Sequence, residues 1–381
     1  MQAQLRAVLM RGGTSRALVF RAEDLPPEPS LQDALLLAAM GSPDPEGRQV
    51  DGVGGGHPLT SKVAIVGPSS RPEADVDYTF AQVVVDSPTV ERHSNCGNIS
   101  AAVGPFALDE GMVETSEPLT RIRIFNTNTQ KLIVAEVPTR GGSFDPQGDY
   151  ELPGVPGRGS RIDLEYMEPG GALTGALLPT GNEVDVLDVD GEPIPVSIVD
   201  AATPAVFVRA SEIGMSFSEP LERLETDATL ARRLERIRAH AAVAAGLAET
   251  PEQATTTVRS VPKLAVVDRA NGVDLAVRAL TMGRAHRAVQ LTSGICLAAA
   301  AALPGSIVHG CLADGLDATG DGAPLRVGHP CGVMELRVRA SRGPSGWRLE
   351  SVTAARTARR LMEGFVFVPV SSEAAVAARM S

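Results

Sequence analysis

A six-residue pattern occurs once in each half of this 381-residue chain: Ser61-Lys62-Val63-Ala64-Ile65-Val66 and Pro262-Lys263-Leu264-Ala265-Val266-Val267. Each copy is a short apolar run behind a lysine, which reads as a buried strand. Each half also holds one apolar helix that opens on small residues, over 99–110 and 293–303, and one Cys-Gly pair, Cys96-Gly97 and Cys331-Gly332. A chain of this length exceeds one ordinary core. The recurrence therefore points to a duplicated α+β unit with a cleft between the copies. The loop-like stretch 180–195 sets the expected boundary, giving domains 1–185 and 186–381.

Around these landmarks the pattern alternates extended apolar runs with glycine-rich turns. Runs 5–10 and 17–20 read as strands flanking Arg11-Gly12-Gly13-Thr14-Ser15. Ser30 is the expected cap of a helix over 31–40 that Gly41 stops. Further strands are expected at 62–66, 78–85, 121–126, 132–137, 162–166, 196–199, 205–208, 263–267, 273–279, 333–338, 347–352 and 365–368. Pro105 is expected to break or reset the helix at 99–110. Residues 227–247 read as a long amphipathic helix, and 141–159 as a surface excursion.

Composition excludes several functions. No run of about eighteen apolar residues exists to span a membrane. The N-terminus lacks a signal-peptide core, so a cytoplasmic protein is expected. A net charge of −11 with 3% aromatic residues and no basic stripe speaks against nucleic acid. Four scattered cysteines make no disulfide framework, and no C-x-x-C or H-x-x-x-H spacing suggests a metal site. An anionic substrate would need positive potential concentrated locally.

Lysine is scarce: Lys62, Lys131 and Lys263 stand against a Lys+Arg total of 35. A position that stays lysine suits a compact ammonium or a group that can lose its proton. Lys62 is therefore a candidate carboxylate binder or base. Cys96, between polar neighbours just before a helix, is the leading nucleophile or base, because a helix N-terminus favours thiolate over thiol. Cys331 sits after His329-Pro330 and could form an acid–base pair with Cys96, or simply occupy a tight turn. Cys296 reads as core, and Cys311 receives no role. His57, His286 and His329 are possible proton carriers, more often merely hydrogen-bonded. The Gly52-Val53-Gly54-Gly55-Gly56 run fails as a phosphate loop, because its strand follows it and no G-K-[ST] is present. The backbone N–H groups and hydroxyls of Arg11 to Ser15 suit a carboxylate.

These segments resemble the PrpF family of methylaconitate isomerase-like proteins, within the diaminopimelate-epimerase-like fold. The matching stretches are MRGGTSRALVF (10–20), GSPDPEGRQVDGVGGG (41–56), LTSKVAIV (59–66), ADVDYTFAQVVVD (74–86), NCGNISAAVGPFALDEG (95–111), GALLPTGN (175–182), VPKLAVV (261–267), VGHPCG (327–332) and RTARRLMEGFVFVP (356–369). The resemblance implies an α+β fold of two similar domains, each a barrel-like sheet around a central helix, with the site between them. It implies that the Cys96 and Ser293 regions open those helices and that the strand near 365–368 rejoins the first domain. Carried over by position, Lys62 and Cys96 match the acid–base residues. Arg11, Thr14, Ser15, Ser61, Asn95, Gly97, Asn98, Ser293, His329 and Gly332 match substrate-contact segments. A cysteine at 331 departs from the His-Pro-Ser-Gly of methylaconitate isomerases toward two-thiol epimerases, which leaves Lys62 and Cys331 as rival partners of Cys96.

The implied activity is a cofactor-free, metal-free proton shift on a small unsaturated di- or tricarboxylate such as 2-methylaconitate or aconitate. A 4-oxalomesaconate keto–enol tautomerase, a two-cysteine amino-acid epimerase and a non-catalytic carboxylate-binding protein are the alternatives. No nucleic-acid or membrane partner is expected, and a homodimer is compatible with the pattern.

Overall fold

The computed structural model describes residues 2–92, 95–281, 283–313, 316, 318, 324–344 and 346–369. It is a mixed α+β structure, mostly sheet with few helices. The chain divides into two compact units, one running to Leu164 and resuming at Ala355, the other spanning Glu165–Ala354. Among the described residues no helix is long and apolar enough to cross a membrane.

In the first unit, β1 (Gln2–Gly12), β2 (Ser15–Arg21), β3 (Lys62–Pro68), β4 (Val76–Val83), β5 (Leu119–Asn126) and β6 (Lys131–Arg140) form the sheet. The pairing β1–β2 is antiparallel, β2–β3 parallel, β3–β4 antiparallel, β4–β5 parallel and β5–β6 antiparallel. Helix α1 (Pro29–Met40) covers one face, and α2 (Gly97–Asp109) lies within the other. Every residue of α2 from Ile99 to Leu108 is buried, and the helix touches β1 through β6. A helix apolar all round must be enclosed, and this one is the centre of its unit. Pro105 does not break it: the helix continues to Asp109. The surrounding sheet holds the segment in place where an isolated peptide would kink.

The second unit carries β7 (Ile162–Met167, which crosses into it), β8 (Asp185–Val189), β9 (Glu192–Ala201), β10 (Thr203–Arg209), α3 (Ala228–Ala244), β11 (Lys263–Asp268), β12 (Leu275–Thr281), α4 (Leu291–Ala301), β13 (Leu325–His329), β14 (Gly332–Gly343) and β15 (Gly346–Arg356). Its ladder repeats the first: β9–β10 antiparallel, β10–β11 parallel, β11–β12 antiparallel, β12–β13 parallel, β13–β14 antiparallel. The last strand, β16 (Ala358–Pro369), pairs along β1 from Gln2↔Pro369 to Gly12↔Ala358. No ladder joins β16 to β6 among the described residues, so the first sheet wraps its helix without closing.

Two further local expectations are corrected. Helix α1 is capped at Glu28 with Pro29 at its first position, and Ser30 lies inside it. Proline at N1 forfeits only an N–H that has no helical partner anyway. Gly41 does end the helix, with φ 78°. The stretch 180–195 is not simply a loop: β8 and β9 form a hairpin through Asp190-Gly191, whose φ values are 61° and 83°. Asp-Gly with both φ positive is the two-residue hairpin signal.

Arg238 on α3 is 3% exposed and fully engaged. It donates to both Glu235 carboxylate oxygens and to the carbonyls of Ala254, Val258 and Val261, fixing the segment that leads into β11. Replacing it by methionine strands those carbonyls. Arg238→Met is expected to lower unfolding free energy by about 3 kcal/mol in urea titration; a loss under about 1 kcal/mol would mean the staple is dispensable.

Candidate active site

Alternation along the strands sorts the first sheet's residues by face. Leu5, Ala7, Leu18, Phe20, Val63, Ile65, Ala81 and Val83 pack with α1 residues Leu35, Leu36, Ala39 and Met40. The intervening residues Gly12, Ser15, Ala17, Lys62 and Gln82 therefore face the side that holds α2. Parallel pairing of β2 and β3 matches Leu18 with Val63, so Lys62 begins beside the start of β2. The turn between β1 and β2 rests on the first turn of α2: a Cβ on Gly12 would lie 2.5 Å from the Asn98 carbonyl oxygen, and one on Gly13 would overlap the Asn98 side chain. Asn98 Nδ2 donates to Thr14 Oγ1 at 2.9 Å. Lys62 and the N-terminus of α2 thus share one end of this unit.

Cys96 is the N-cap of α2, with β-region backbone (φ −106°, ψ 99°) and no side-chain capping bond. Its carbonyl accepts from the Ser100 N–H and hydroxyl, while its thiol is free and half-buried. Asn95 beside it accepts from Ser100 Oγ at 3.2 Å. Gly97 is buried and opens the helix. Lys62 is 7% exposed, donates from Nζ to Gln82 Oε1 at 2.5 Å, and lies 5.0 Å from the centre of the Phe80 ring. Gln82 is itself held by the carbonyls of Pro58 and Ser61. The Ser15 hydroxyl is buried and has no hydrogen-bond partner among the described residues, so a donor–acceptor group stands ready on the α2 side of the sheet.

Two sequence candidates have structural work. Arg11 Nη1 donates to the carbonyls of Gly13 and Thr357 and to Thr357 Oγ1, at 2.9–3.0 Å. It braces the turn that Gly12 and Gly13 lay on α2. The Ser61 hydroxyl is fully buried, donates to the Val83 carbonyl and accepts from Gln49 Nε2, both at 2.8 Å. Gln49 also explains the glycine-rich run: its Oε1 accepts from the Gly56 N–H, and its side chain occupies the space a Cβ on Gly54 would need.

In the second unit the repeat holds for lysine but not for cysteine. Lys263 begins β11, as Lys62 begins β3, and its Nζ bonds Gln290 Oε1 and Thr292 Oγ1 (the latter at 3.3 Å). The N-cap of α4, the position that matches Cys96, is Gln290. Its Nε2 lies 3.0 Å from His286 Nε2, and Ser293 is the third residue of the helix, 6% exposed. Cys331 is instead in the hairpin turn between β13 and β14. Its N–H donates to the Arg287 carbonyl and to His329 Nδ1, its side chain is exposed, and Gly332 follows at φ 142°. The two Cys-Gly pairs occupy unlike positions, whereas the helix and strand positions correspond. Cys296 is core, its Sγ bonded to the Val199 carbonyl, and burial pushes its thiol pKa far up. Burial likewise raises Cys311. Gln82, Phe80, Gln290 and Thr292 were missed by the sequence reading; strand alternation and the Lys62/Lys263 echo carried the available signal.

No group of three or more His, Cys, Asp or Glu able to hold a metal occurs among the described residues. The arrangement offers a thiol at a helix N-cap position, a buried ammonium on the same side and end of the sheet, and a hydroxyl unpartnered among the described residues. Because Gly12 has no room for a methyl, Gly12→Ala should push the first turn of α2 aside by a good fraction of an ångström. The expected result is a fall in kcat on the order of 100-fold, with soluble, folded protein by circular dichroism. Wild-type turnover in this variant would show that the contact is slack.

Residues 2–369 match the family described as PrpF protein. The 3-methylitaconate isomerase of Eubacterium barkeri is 42% identical, covering 96% of this chain and 98% of that protein. The 4-oxalomesaconate tautomerase of Pseudomonas putida is 40% identical over 96% and 97%. A crystal structure of methylitaconate-delta-isomerase superposes with a TM-score of 0.87 at 41% identity, covering 97% of this chain and 98% of that one. This chain is an isomerase and belongs to the PrpF family.

Proposed function

We propose that this isomerase moves a proton between allylic carbons of a small unsaturated di- or tricarboxylate, with Cys96 and Lys62 as the acid–base pair. The observation that carries the reading is a cysteine thiol at the N-cap position of a largely buried helix, at the end of the sheet where Lys62 faces the same side. The relatives named for 3-methylitaconate and 4-oxalomesaconate support a substrate of this class.

A C–H flanked by a carboxylate and a C=C is acidic because its electron pair spreads into both on deprotonation. Cys96, as thiolate, takes that proton. The electron pair shifts across the former double bond, and a proton returns at the far allylic carbon, from Lys62 or from the same thiol. Charge that builds on the substrate carboxylate in the intermediate is met by the positive end of the α2 dipole. The Ser15 hydroxyl and the Thr14–Asn98 pair serve as orienting groups for the resting carboxylates. Arg11 and Ser61 act behind them by holding the turn and the strand start. In the second unit, Ser293, Lys263 and Gln290 at the start of α4 are proposed as carboxylate-binding groups, with His329 and Gly332 as further contacts. A keto–enol tautomerisation uses the same two groups in the same roles. The two-thiol alternative loses its symmetry argument, since the counterpart of Cys96 is Gln290. Lys62 is therefore the preferred partner of Cys96, and Cys331 is assigned no step.

Purified enzyme in deuterated water, given 3-methylitaconate, methylaconitate, aconitate and oxalomesaconate separately, should incorporate deuterium at an allylic carbon of its true substrate by NMR. Cys96→Ser and Lys62→Met should each lower turnover by at least about 100-fold, whereas Cys331→Ser should stay within about threefold. Near-full turnover in Cys96→Ser, or equal losses in Cys331→Ser, would defeat the assignment.

A further inference from the structure

Three arginines stand in register across three neighbouring strands. Arg16 on β2 pairs with Arg11 on β1, and Arg11 pairs with Arg359 on β16. Directly opposed residues project to the same face, about 5 Å apart at Cβ, and like charges there repel. No ion pair to any of the three occurs among the described residues. The contrast on the same strands is sharp: Arg6 and Arg360 are both paired to Glu110, and Arg360 also to Asp109 and Glu363. The Arg16 Nε is buried without a partner among the described residues, and its guanidinium lies where a Cβ on Gly55 would come within 2.7 Å. Arg11 spends one nitrogen on neutral carbonyl and hydroxyl oxygens, which leaves its charge uncompensated. Burial and the charge of Arg359 together hold the Arg11 pKa below the usual guanidinium range, which marks the two as electrostatically coupled.

An acidic chain that leaves three adjacent guanidiniums without counter-charge has concentrated positive potential at one spot. That spot adjoins the candidate site: Gly12 and Ala358, the next pair along the ladder, follow Arg11 and precede Arg359, and Gly12 lies against Asn98. The row is on the sheet face opposite α2, so it acts through the field and not through contact with the reacting carbons.

We infer that Arg16, Arg11 and Arg359 form an anion-recruiting site that raises the local concentration of a polycarboxylate substrate against the net negative charge of the protein. This rests on the carboxylate reading above. At a separation on the order of 10 Å in water, one unit charge acting on a dianion changes its local concentration by roughly threefold at low ionic strength, and salt screens the effect within about a Debye length.

Arg359, exposed at the end of the row and outside the reacting groups, is the position to change. In Arg359→Gln, kcat/KM at about 10 mM ionic strength should fall about threefold, and in Arg359→Glu about tenfold. Both should keep the wild-type kcat, and both differences should vanish near 0.5 M salt. Differences that persist at high salt, or that appear in kcat, would overturn recruitment. Citrate, an unreactive trianion, separates this from failure of the functional reading. Calorimetry should find citrate bound more weakly by Arg359→Gln than by wild type at low salt and equally at high salt, whether or not any carboxylate is turned over. Equal citrate affinity at both salts would sink the inference while leaving the isomerase reading intact.

Discussion

The first unit depends on a close approach between one hairpin turn and one helix end. Gly12 and Gly13 lie so near Asn98 that no side chain fits between them. That contact fixes where α2 begins and therefore where Cys96 sits. Everything else in the unit supports it. Arg11 and Thr357 brace the turn from behind. The wrapping strands bury α2 so thoroughly that a proline in its middle is tolerated. The gain from enclosing an apolar helix on nearly every side exceeds the cost of one missing backbone bond.

The same physics places the lysine. Strand β3 alternates between the α1 core and the α2 side, so a charged residue at its first position can face inward while its neighbours Val63 and Ile65 pack outward. Lys62 is buried but not stranded, because Gln82 accepts from its ammonium and the Phe80 face lies alongside. An ammonium held by a neutral amide, rather than by a carboxylate, keeps its charge for a ligand. Lys263 likewise bonds a glutamine, Gln290. Both units thus hold a lysine bonded to a glutamine, and only the first has a cysteine at the helix N-cap position.

Much of this is legible in the sequence. The strands and both central helices follow from apolar runs bounded by glycine, and the Lys62/Lys263 echo foretold the repeated ladder. Cys96 as the residue before a helix was readable from its small polar neighbours. What could not be read was pairing. The Cys331 echo failed because a Cys-Gly dipeptide says nothing of whether it precedes a helix or closes a hairpin. The cap of α1 was misassigned to Ser30 because a serine competes with a proline one residue earlier, and proline's fixed φ prevailed. The roles of Arg11, Gln49 and Gln82 depend on partners distant in sequence, such as Thr357 for Arg11. The arginine row likewise appears only once the register of three strands is known.

The central claim is that the thiol at the start of α2 meets the substrate. Its most direct test is differential alkylation of the four cysteines, quantified by peptide mass spectrometry alongside residual activity, with and without saturating substrate. The account predicts that loss of activity tracks modification of Cys96 alone, one for one, and that substrate slows both together. Activity that survives complete modification of Cys96, or that falls in step with Cys331 instead, would contradict it.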